Sequence, residues 1–296
     1  MANRVQAALH ADAVHIAEDA DMALSTELSK ALFPLFAMEE LVKHLHVFDD
    51  LPQRIGGTSN VTIEHGVVFQ NASNFRNVSG ICDDPRYTKP YSRIASSVKS
   101  NANLSKVLLN IELAPAGVVC LVYPMTNSED LGNGKFLDSG AAIGLDLLND
   151  PARGYYTRES IKARRVTIQG PLRVIQDNSS VVDKALVVRN PIFIDGYKSS
   201  IGGELYPFWG FAVVLLNWEE LMKRSQLFRF FDAGNMELCL SRTDVFMNFT
   251  TNKESQEVNL SRKLLFYVYW PPGSFSCLPF LPMSPLRGLA VCYRWR

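Results

Sequence analysis

The chain has few cysteines, no excess of either charge, no long apolar run, and no histidine after residue 65. Each absence removes a class of protein. Five cysteines in 296 residues are too few for a disulfide scaffold. None of them shows the CxxC spacing of a zinc site. Thirty basic residues offset thirty acidic ones. No long-range field therefore draws the chain to nucleic acid or to an anionic membrane. No stretch reaches the roughly 18 uninterrupted apolar residues of a spanning helix. The apolar run Leu264 to Trp270 stops at Pro271-Pro272. Met1-Ala2-Asn3-Arg4 leads into a segment rich in Asp, Glu and His, unlike a signal peptide. No Walker, Gly-x-Ser-x-Gly or GxGxxG motif stands in a supporting context.

What is present is core material. Apolar residues make up 47% of the chain, which argues against wholesale disorder. The length allows one large domain or two small ones. Residues 5–36 carry Ala13, Ala17, Ala20, Leu24, Leu28, Leu32 and Leu35 at spacings of three or four. That spacing predicts one amphipathic helix, with Pro34 as its stop or kink. Met38, Leu41, Val42, Leu45 and Phe48 predict a second, shorter helix. Val61 to Phe69 reads as a strand. Residues 70–105, polar and rich in Asn and Ser, read as loops with short helical pieces.

From there the period changes. Val107 to Leu113 and Gly117 to Tyr123 read as strands joined by Ala114-Pro115-Ala116-Gly117, a sequence suited to a type I turn. Asp150-Pro151 predicts a helix start, running to about Arg165. Val166 to Gln176 and Lys184 to Ile194 read as strands. Pro171 requires a bulge or a sheet edge in the first of them. Phe208 to Asn217 is an apolar strand, and Asn217 with Glu220 makes a capping box for a short helix. The order predicts an α+β fold on antiparallel sheet, with a PAS-like unit over 107–217. Leu238, Leu240 and Phe246 read as one more strand. Residues 264–296 show no period.

Several short pieces occur in a set order: Pro115-Ala116-Gly117-Val118-Val119, Tyr123-Pro124, Gly144-Leu145-Asp146-Leu147-Leu148-Asn149-Asp150-Pro151, Gly170-Pro171-Leu172-Arg173, Arg189-Asn190-Pro191-Ile192-Phe193 and Trp209-Gly210-Phe211. Together they resemble the CHASE domain, the extracytoplasmic sensor module of membrane-bound histidine kinases, diguanylate cyclases and nucleotide cyclases. The resemblance implies a long N-terminal stalk helix followed by PAS-like antiparallel sheet subdomains. It implies a stalk region over 5–50, a sensor domain over 51–224, and a C-terminal extension over 225–296 that fits no part of the pattern. The extension reads as a gene-model artefact. It further implies a small-molecule ligand, a homodimer formed through the N-terminal helix, and membrane attachment through flanking helices absent from this chain. The chain therefore reads as a fragment or an excised ectodomain of a membrane receptor. Seven Asn-x-Ser/Thr sequons, four of them within residues 60–105, agree with an extracellular or luminal surface and a glycoprotein.

A sensor needs a ligand pocket, and four residues stand out as binding candidates. Arg189 shares its strand face with Ala185, Val187 and Phe193, so a guanidinium points where apolar side chains point. A buried charge needs a partner, supplied by Asp146, by another carboxylate, or by a bound ligand held bidentately. Gln169 matches the position that lines the hormone pocket in the related plant cytokinin receptors. It is larger and more polar there, which argues against a cytokinin. Tyr123 ends an apolar strand and can place a hydroxyl at a pocket mouth, or pack as core with a wet tip. Asp146 can orient Arg189 or cap a turn. Trp209, beside Gly210, reads as core where backbones approach closely. Cys82 and Cys120 can pair as a disulfide, or Cys120 can be a buried thiol in its strand. His44 and His46, two apart, make a poor metal pair.

No catalytic set, metal site or cofactor site is expected. The leading reading is a non-catalytic sensor domain. A soluble α+β hydrolase using Asp146 or Asp150, and an interaction module without a small ligand, are the alternatives.

Overall fold

In a computed structural model the described residues are 2–56, 77–101, 106–127, 137–150, 154–172, 185–201, 203–226 and 229, with the short strands of the C-terminal region. The chain divides into two compact units, residues 30–220 and residues 1–29 with 221–296. The strand expected over 61–69 and the strand expected around Leu238 lie outside the described residues.

The first helix is longer than its sequence implied. α1 runs unbroken over Ala2–His44, through Pro34. Proline removes one backbone bond and crowds the preceding turn. Here Leu28, Ala31, Leu35, Met38 and Val42 continue one buried stripe across it. Burial of that stripe outweighs the missing bond. α2 covers Leu51–Gly56 and α3 covers Ser79–Cys82. α4 then spans Pro85–Asn101, where loops with short helical pieces were expected. Tyr87, Tyr91, Ala95 and Lys99 recur every four residues and are all buried. Pro85 stands at the helix start, where its missing N–H is harmless.

Polar contacts join these helices. Arg54 Nη1 donates to Tyr87 Oη at 2.8 Å and to Asp84 Oδ2 at 3.3 Å. Tyr87 Oη donates to Asp50 Oδ1 at 2.8 Å. Cys82 and Cys120 form a disulfide with their Cα atoms 5.1 Å apart, tying α3 to the segment that enters β2. Closing a loop of 38 residues contributes about 4 kcal/mol on the chain-entropy model.

Nine strands follow among the described residues of 108–217. They are β1 Leu108–Pro115, β2 Leu121–Tyr123, β3 Thr126–Asn127, β4 Leu137–Asp138, β5 Thr167–Leu172, β6 Ala185–Phe193, β7 Ser199–Ile201, β8 Glu204–Tyr206 and β9 Phe208–Asn217. Five of them build one sheet in the order β2-β1-β9-β6-β5, antiparallel throughout. This is the antiparallel α+β architecture that the sequence led us to expect. α5, Gly154–Lys162, stands between β4 and β5. The start expected at Pro151 lies outside the described residues, and Gly154 N donates to Asp150 O at 2.7 Å. α6, Trp218–Arg224, starts where the capping box placed it, with Glu220 N donating to Asn217 Oδ1 at 3.2 Å.

Two backbone details set the edges of the sheet. Pro171 was expected to need an edge or a bulge, and both are present. β5 is the sheet edge, and its register shifts between Gln169 and Leu172. Gly170 sits there at φ 133°, and a Cβ on it would stand 2.5 Å from Ala185 O. The β1–β2 turn is not type I. Ala116 adopts φ 53°, which a type I turn excludes, because its N–H is held by Trp209 O at 2.9 Å.

The other unit contains the N-terminal part of α1, with Ala20, Leu24 and Leu28 buried. Arg224 Nε lies 3.2 Å from Glu27 Oε2. The described residues of this unit also include four short strands: β10 Ser241–Arg242, β11 Leu264–Leu265, β12 Cys277–Pro279 and β13 Ala290–Cys292, paired in the order β10-β11-β13-β12. No helix among the described residues is long and apolar enough to cross a membrane.

The helical side of the sheet carries a pH-sensitive contact. Tyr91 Oη donates to Ile111 O at 2.6 Å and is fully enclosed. Burial, helped by the charge of Glu112, holds its pKa well above the ordinary value. The folded chain thus keeps this proton more tightly than the unfolded chain. The stability linked to it is present below pH about 10 and is lost as pH rises further. Tyr91→Phe should cost about 1 kcal/mol at neutral pH, for the lost hydrogen bond. It should also flatten the decline of stability above pH about 10. Urea melts at pH 7 and at pH 11 test this, and an unchanged alkaline slope would refute it.

Candidate ligand-binding site

The sheet has two faces, and register assigns each strand residue to one of them, since directly opposed residues share a face. Thr167 stands opposite Arg189, Arg189 opposite Val213, Val213 opposite Glu112, and Glu112 opposite Val122. The neighbouring row reads Gln169, Val187, Leu215, Asn110. Both rows lie on one face. That face packs into a core with Leu137, Ala142, Leu145, Leu147 and Leu148 from the segment before α5, and Ile161 from α5.

Within this apolar layer sits a polar cluster. Arg189 is 1% exposed, Asn110 0%, Glu112 2% and Gln169 8%. Arg189 shares the core with Ala185 and Val187, and Phe193 packs against it, as the alternation in its strand implied. Its Nη1 donates to Gln169 Oε1 at 2.8 Å. Asn110 Nδ2 donates to Glu112 Oε1 at 3.0 Å. Glu112 and Arg189 flank Val213 in their row, two strand spacings or about 10 Å apart between backbones. A buried cation and a buried anion thus share one sheet face, each with an amide beside it.

Of the four residues singled out from sequence, the structure brings two together: Gln169 and Arg189. Tyr123 stands opposite Ile111, and Ile111 is the neighbour of Glu112 in β1, so Tyr123 belongs to the other face. Its peptide bond to Pro124 is cis. Asp146 caps a turn. Its Oδ1 accepts from Leu148 N at 3.1 Å and Asn149 N at 3.2 Å, and its Oδ2 accepts from Asn149 Nδ2 at 2.9 Å. Glu112 and Asn110 escaped the sequence reading. The signal was available: in Leu109-Asn110-Ile111-Glu112-Leu113 two polar residues alternate with apolar ones inside a strand with no exposed position.

The opposite face meets the helices. Asn190, next to Arg189 in β6, points away from it. Asn190 Nδ2 donates to Glu39 Oε2 of α1 at 2.6 Å. Glu39 Oε1 in turn lies 2.6 Å from Lys43 Nζ, and this hydrogen bond raises the Lys43 pKa. On the same side Trp209 Nε1 donates to Phe48 O at 3.3 Å. Gly210 lets the β1 backbone approach, since a Cβ there would lie 2.4 Å from Ala114 O.

No group of three or more His, Cys, Asp or Glu able to hold a metal occurs among the described residues. His44 and His46 are exposed and face Glu40 and Asp49 instead.

A polar cluster thus lies on one sheet face and a long helix meets the other. The CHASE domain model matches residues 136–256. The match includes Asp146, Gln169 and Arg189, while Asn110, Glu112 and Tyr123 precede it. It runs past residue 225, so the family pattern extends into what the sequence reading set aside as a separate tail. The CHASE match bears out the reading of this chain as a sensor domain of a signalling receptor, exposed outside the cytoplasm. Among curated proteins none matches.

Solved structures offer distant likenesses. An extracellular ligand-binding receptor from Desulfohalobium retbaense is 12% identical over 77% of this chain and 28% of its own, with a TM-score of 0.40. This chain therefore spans little more than a quarter of that protein. The sensory domain of the Campylobacter jejuni chemoreceptor Tlp3, solved with isoleucine, is 14% identical over 76% of this chain and 70% of its own, with a TM-score of 0.29. The ligand-binding domain of a Pseudomonas aeruginosa amino-acid chemoreceptor, solved with GABA, is 15% identical over 56% of this chain and 59% of its own, with a TM-score of 0.29.

One member of the cluster has a measurable signature in the protein alone. Thr167 Oγ1 is buried with no hydrogen-bond partner. Removing an unsatisfied buried hydroxyl while keeping its shape is neutral or favourable. Thr167→Val should leave stability unchanged or raise it by up to about 1 kcal/mol. Chemical melts of the two proteins decide the matter. A loss of stability would mean that the hydroxyl is satisfied in solution.

Proposed function

We propose that this chain is the non-catalytic sensor module of a membrane-bound receptor of the histidine-kinase or cyclase type. Its ligand is a small molecule bound at the sheet face that carries Arg189, Gln169, Glu112 and Asn110. The observation behind this reading is the burial of that polar set, within an apolar layer, in a chain that matches the CHASE model. Tyr123 and Asp146, both considered as ligand contacts from sequence, are not part of this proposed contact.

β6 links the site to the stalk. Arg189 faces the ligand side, and the adjacent Asn190 holds Glu39 of α1. A ligand that prefers one setting of β6 shifts the population of α1 settings through that contact. α1 also offers a surface for a second copy. Phe33 is 55% exposed and Phe36 47% exposed, one turn apart on the same helix. Two exposed phenylalanines on a helix face favour pairing.

A metabolite panel screened by thermal shift, followed by calorimetry, tests the sensor reading. Arg189→Ala should keep the fold, seen by circular dichroism, and lose at least about thirtyfold in affinity. Asn190→Ala should still bind but lose the ligand-induced change in amide exchange over residues 30–44. If Arg189→Ala unfolds the chain, the guanidinium is structural and the ligand assignment falls. A panel without a single binder would also count against the reading.

The pairing surface has its own test. Phe33→Glu with Phe36→Glu should convert a dimer into a monomer in sedimentation velocity. A wild-type chain that sediments as a monomer at tens of micromolar would remove the dimer.

A further inference from the structure

Sequons are more frequent in this chain than its composition predicts. Eighteen asparagines and thirty-four serines and threonines stand among its 296 residues. Random placement of these would give about two Asn-x-Ser/Thr triplets, and seven occur. An attached glycan is bulky and strongly hydrated, so its asparagine must stay at the surface of the finished fold. Among the described residues that condition can be checked at Asn77, which begins Asn77-Val78-Ser79.

Asn77 meets it. The residue is exposed and stands two positions before Ser79, where α3 begins. Its neighbour Val78 is 2% exposed, and the Val78 carbonyl accepts from Ile81 N and Cys82 N, both at 2.9 Å. The buried valine and these two bonds fix the point at which the chain turns inward, and Asn77 stands just outside it. Asparagines within the fold differ. Asn110 and Asn190 are buried, and neither begins a sequon, since Ile111-Glu112 follows the first and Pro191 the second.

The compartment is the second condition. The CHASE match puts the domain outside the cytoplasm. Cys82, five positions after Asn77, is joined to Cys120, a bond that forms in an oxidising compartment such as the secretory lumen. Sugar transfer to sequons takes place in that same lumen in eukaryotic cells. The crosslink does not obstruct it. Cys120 lies 38 residues beyond Cys82 and is synthesised later, so the Asn77 segment is presented unfolded before the bond can close.

We infer that Asn77 is an N-glycosylation site. The donor is a polyprenyl-diphosphate-linked oligosaccharide. Asn77 Nδ2 attacks the anomeric carbon of the donor sugar. The C–N bond forms as the sugar–diphosphate C–O bond breaks. The lipid diphosphate leaves with the electron pair, and one amide proton passes to solvent. Ser79 supplies the hydroxyl of the acceptor triplet. The inference does not rest on any ligand at the polar sheet face.

The full 296-residue chain, led into the secretory pathway of a eukaryotic cell, supplies the test. Peptide-N-glycosidase in heavy-oxygen water converts each carrier asparagine into a labelled aspartate, which peptide mass spectrometry locates. The Asn77 peptide should be labelled in most copies. Asn77→Gln and Ser79→Ala should each run one glycan faster on a gel than the parent chain, and Ser79→Thr should not. Transfer precedes folding, so these readings hold even for a variant that fails to fold. Release should also proceed from the folded protein, with the Cys82 and Cys120 peptides still joined.

An unlabelled Asn77 in a chain labelled at other sequons would overturn the assignment. A chain recovered from the lumen with no label at all would overturn it too. Release at Asn77 only after denaturation would show the residue enclosed in solution and remove the exposure on which the inference stands.

Discussion

The guanidinium of Arg189 is the constraint around which this domain is arranged. A charge removed from water costs several kcal/mol unless it is paired and hydrogen-bonded. Arg189 lies in the middle of β6, the strand next to the sheet edge, with apolar neighbours on its own face. The sheet answers with polar residues at the positions that register makes available. Gln169 comes from the edge strand, and Glu112 and Asn110 come from beyond β9. Asn110 and Glu112 lie over 50 positions from Gln169 and Arg189 in sequence and share a face with them only because the strand order is β2-β1-β9-β6-β5. A one-residue slip of β6 would send Arg189 to the helical side and Asn190 to the polar cluster. Register, ion placement and helix attachment are thus one choice.

The same alternation explains how one strand serves two layers. Arg189 and Asn190 are adjacent, and their side chains leave the backbone in opposite directions. One joins the layer made by residues 137–148 and α5. The other grips α1 through Glu39. No chain of intermediates is required between the two sides, since a single peptide unit separates them. Lys43, one turn further along α1, competes with Asn190 for the same carboxylate. The grip is therefore a shared one, held from the sheet and from the helix itself.

Much of this arrangement was legible in the sequence. The strands of 107–217, the edge bulge at Pro171, the Asn217 cap and the facing of Arg189 all followed from local rules, because each depends on residues a few positions apart. What failed depended on distant partners. Pro34 looked like a stop because helix rules count backbone bonds and cannot see the buried stripe that continues past it. α4 was hidden by its serines and by Pro90, although Tyr87, Tyr91, Ala95 and Lys99 repeat at helical spacing. Tyr123 was grouped with Arg189 because the side a residue faces is set by pairing across strands, which a linear reading does not contain. Glu112 was overlooked for a related reason. A single acidic residue in a strand normally marks the wet face, and only the burial of every position in β1 shows that this strand has none.

The Cys82–Cys120 bond has a consequence for where the domain can mature. Such a bond persists in an oxidising compartment and is rare in the cytosol. Both sulfurs are buried in the finished fold, so oxidation must come before or during packing rather than after it. A copy stranded on the reducing side of a membrane would close the same sheet yet leave α3 untethered. It would then be the easier target for proteases that sample open states. The crosslink thereby acts as a record of address: only chains delivered to the side where the signal arrives become fully hardened.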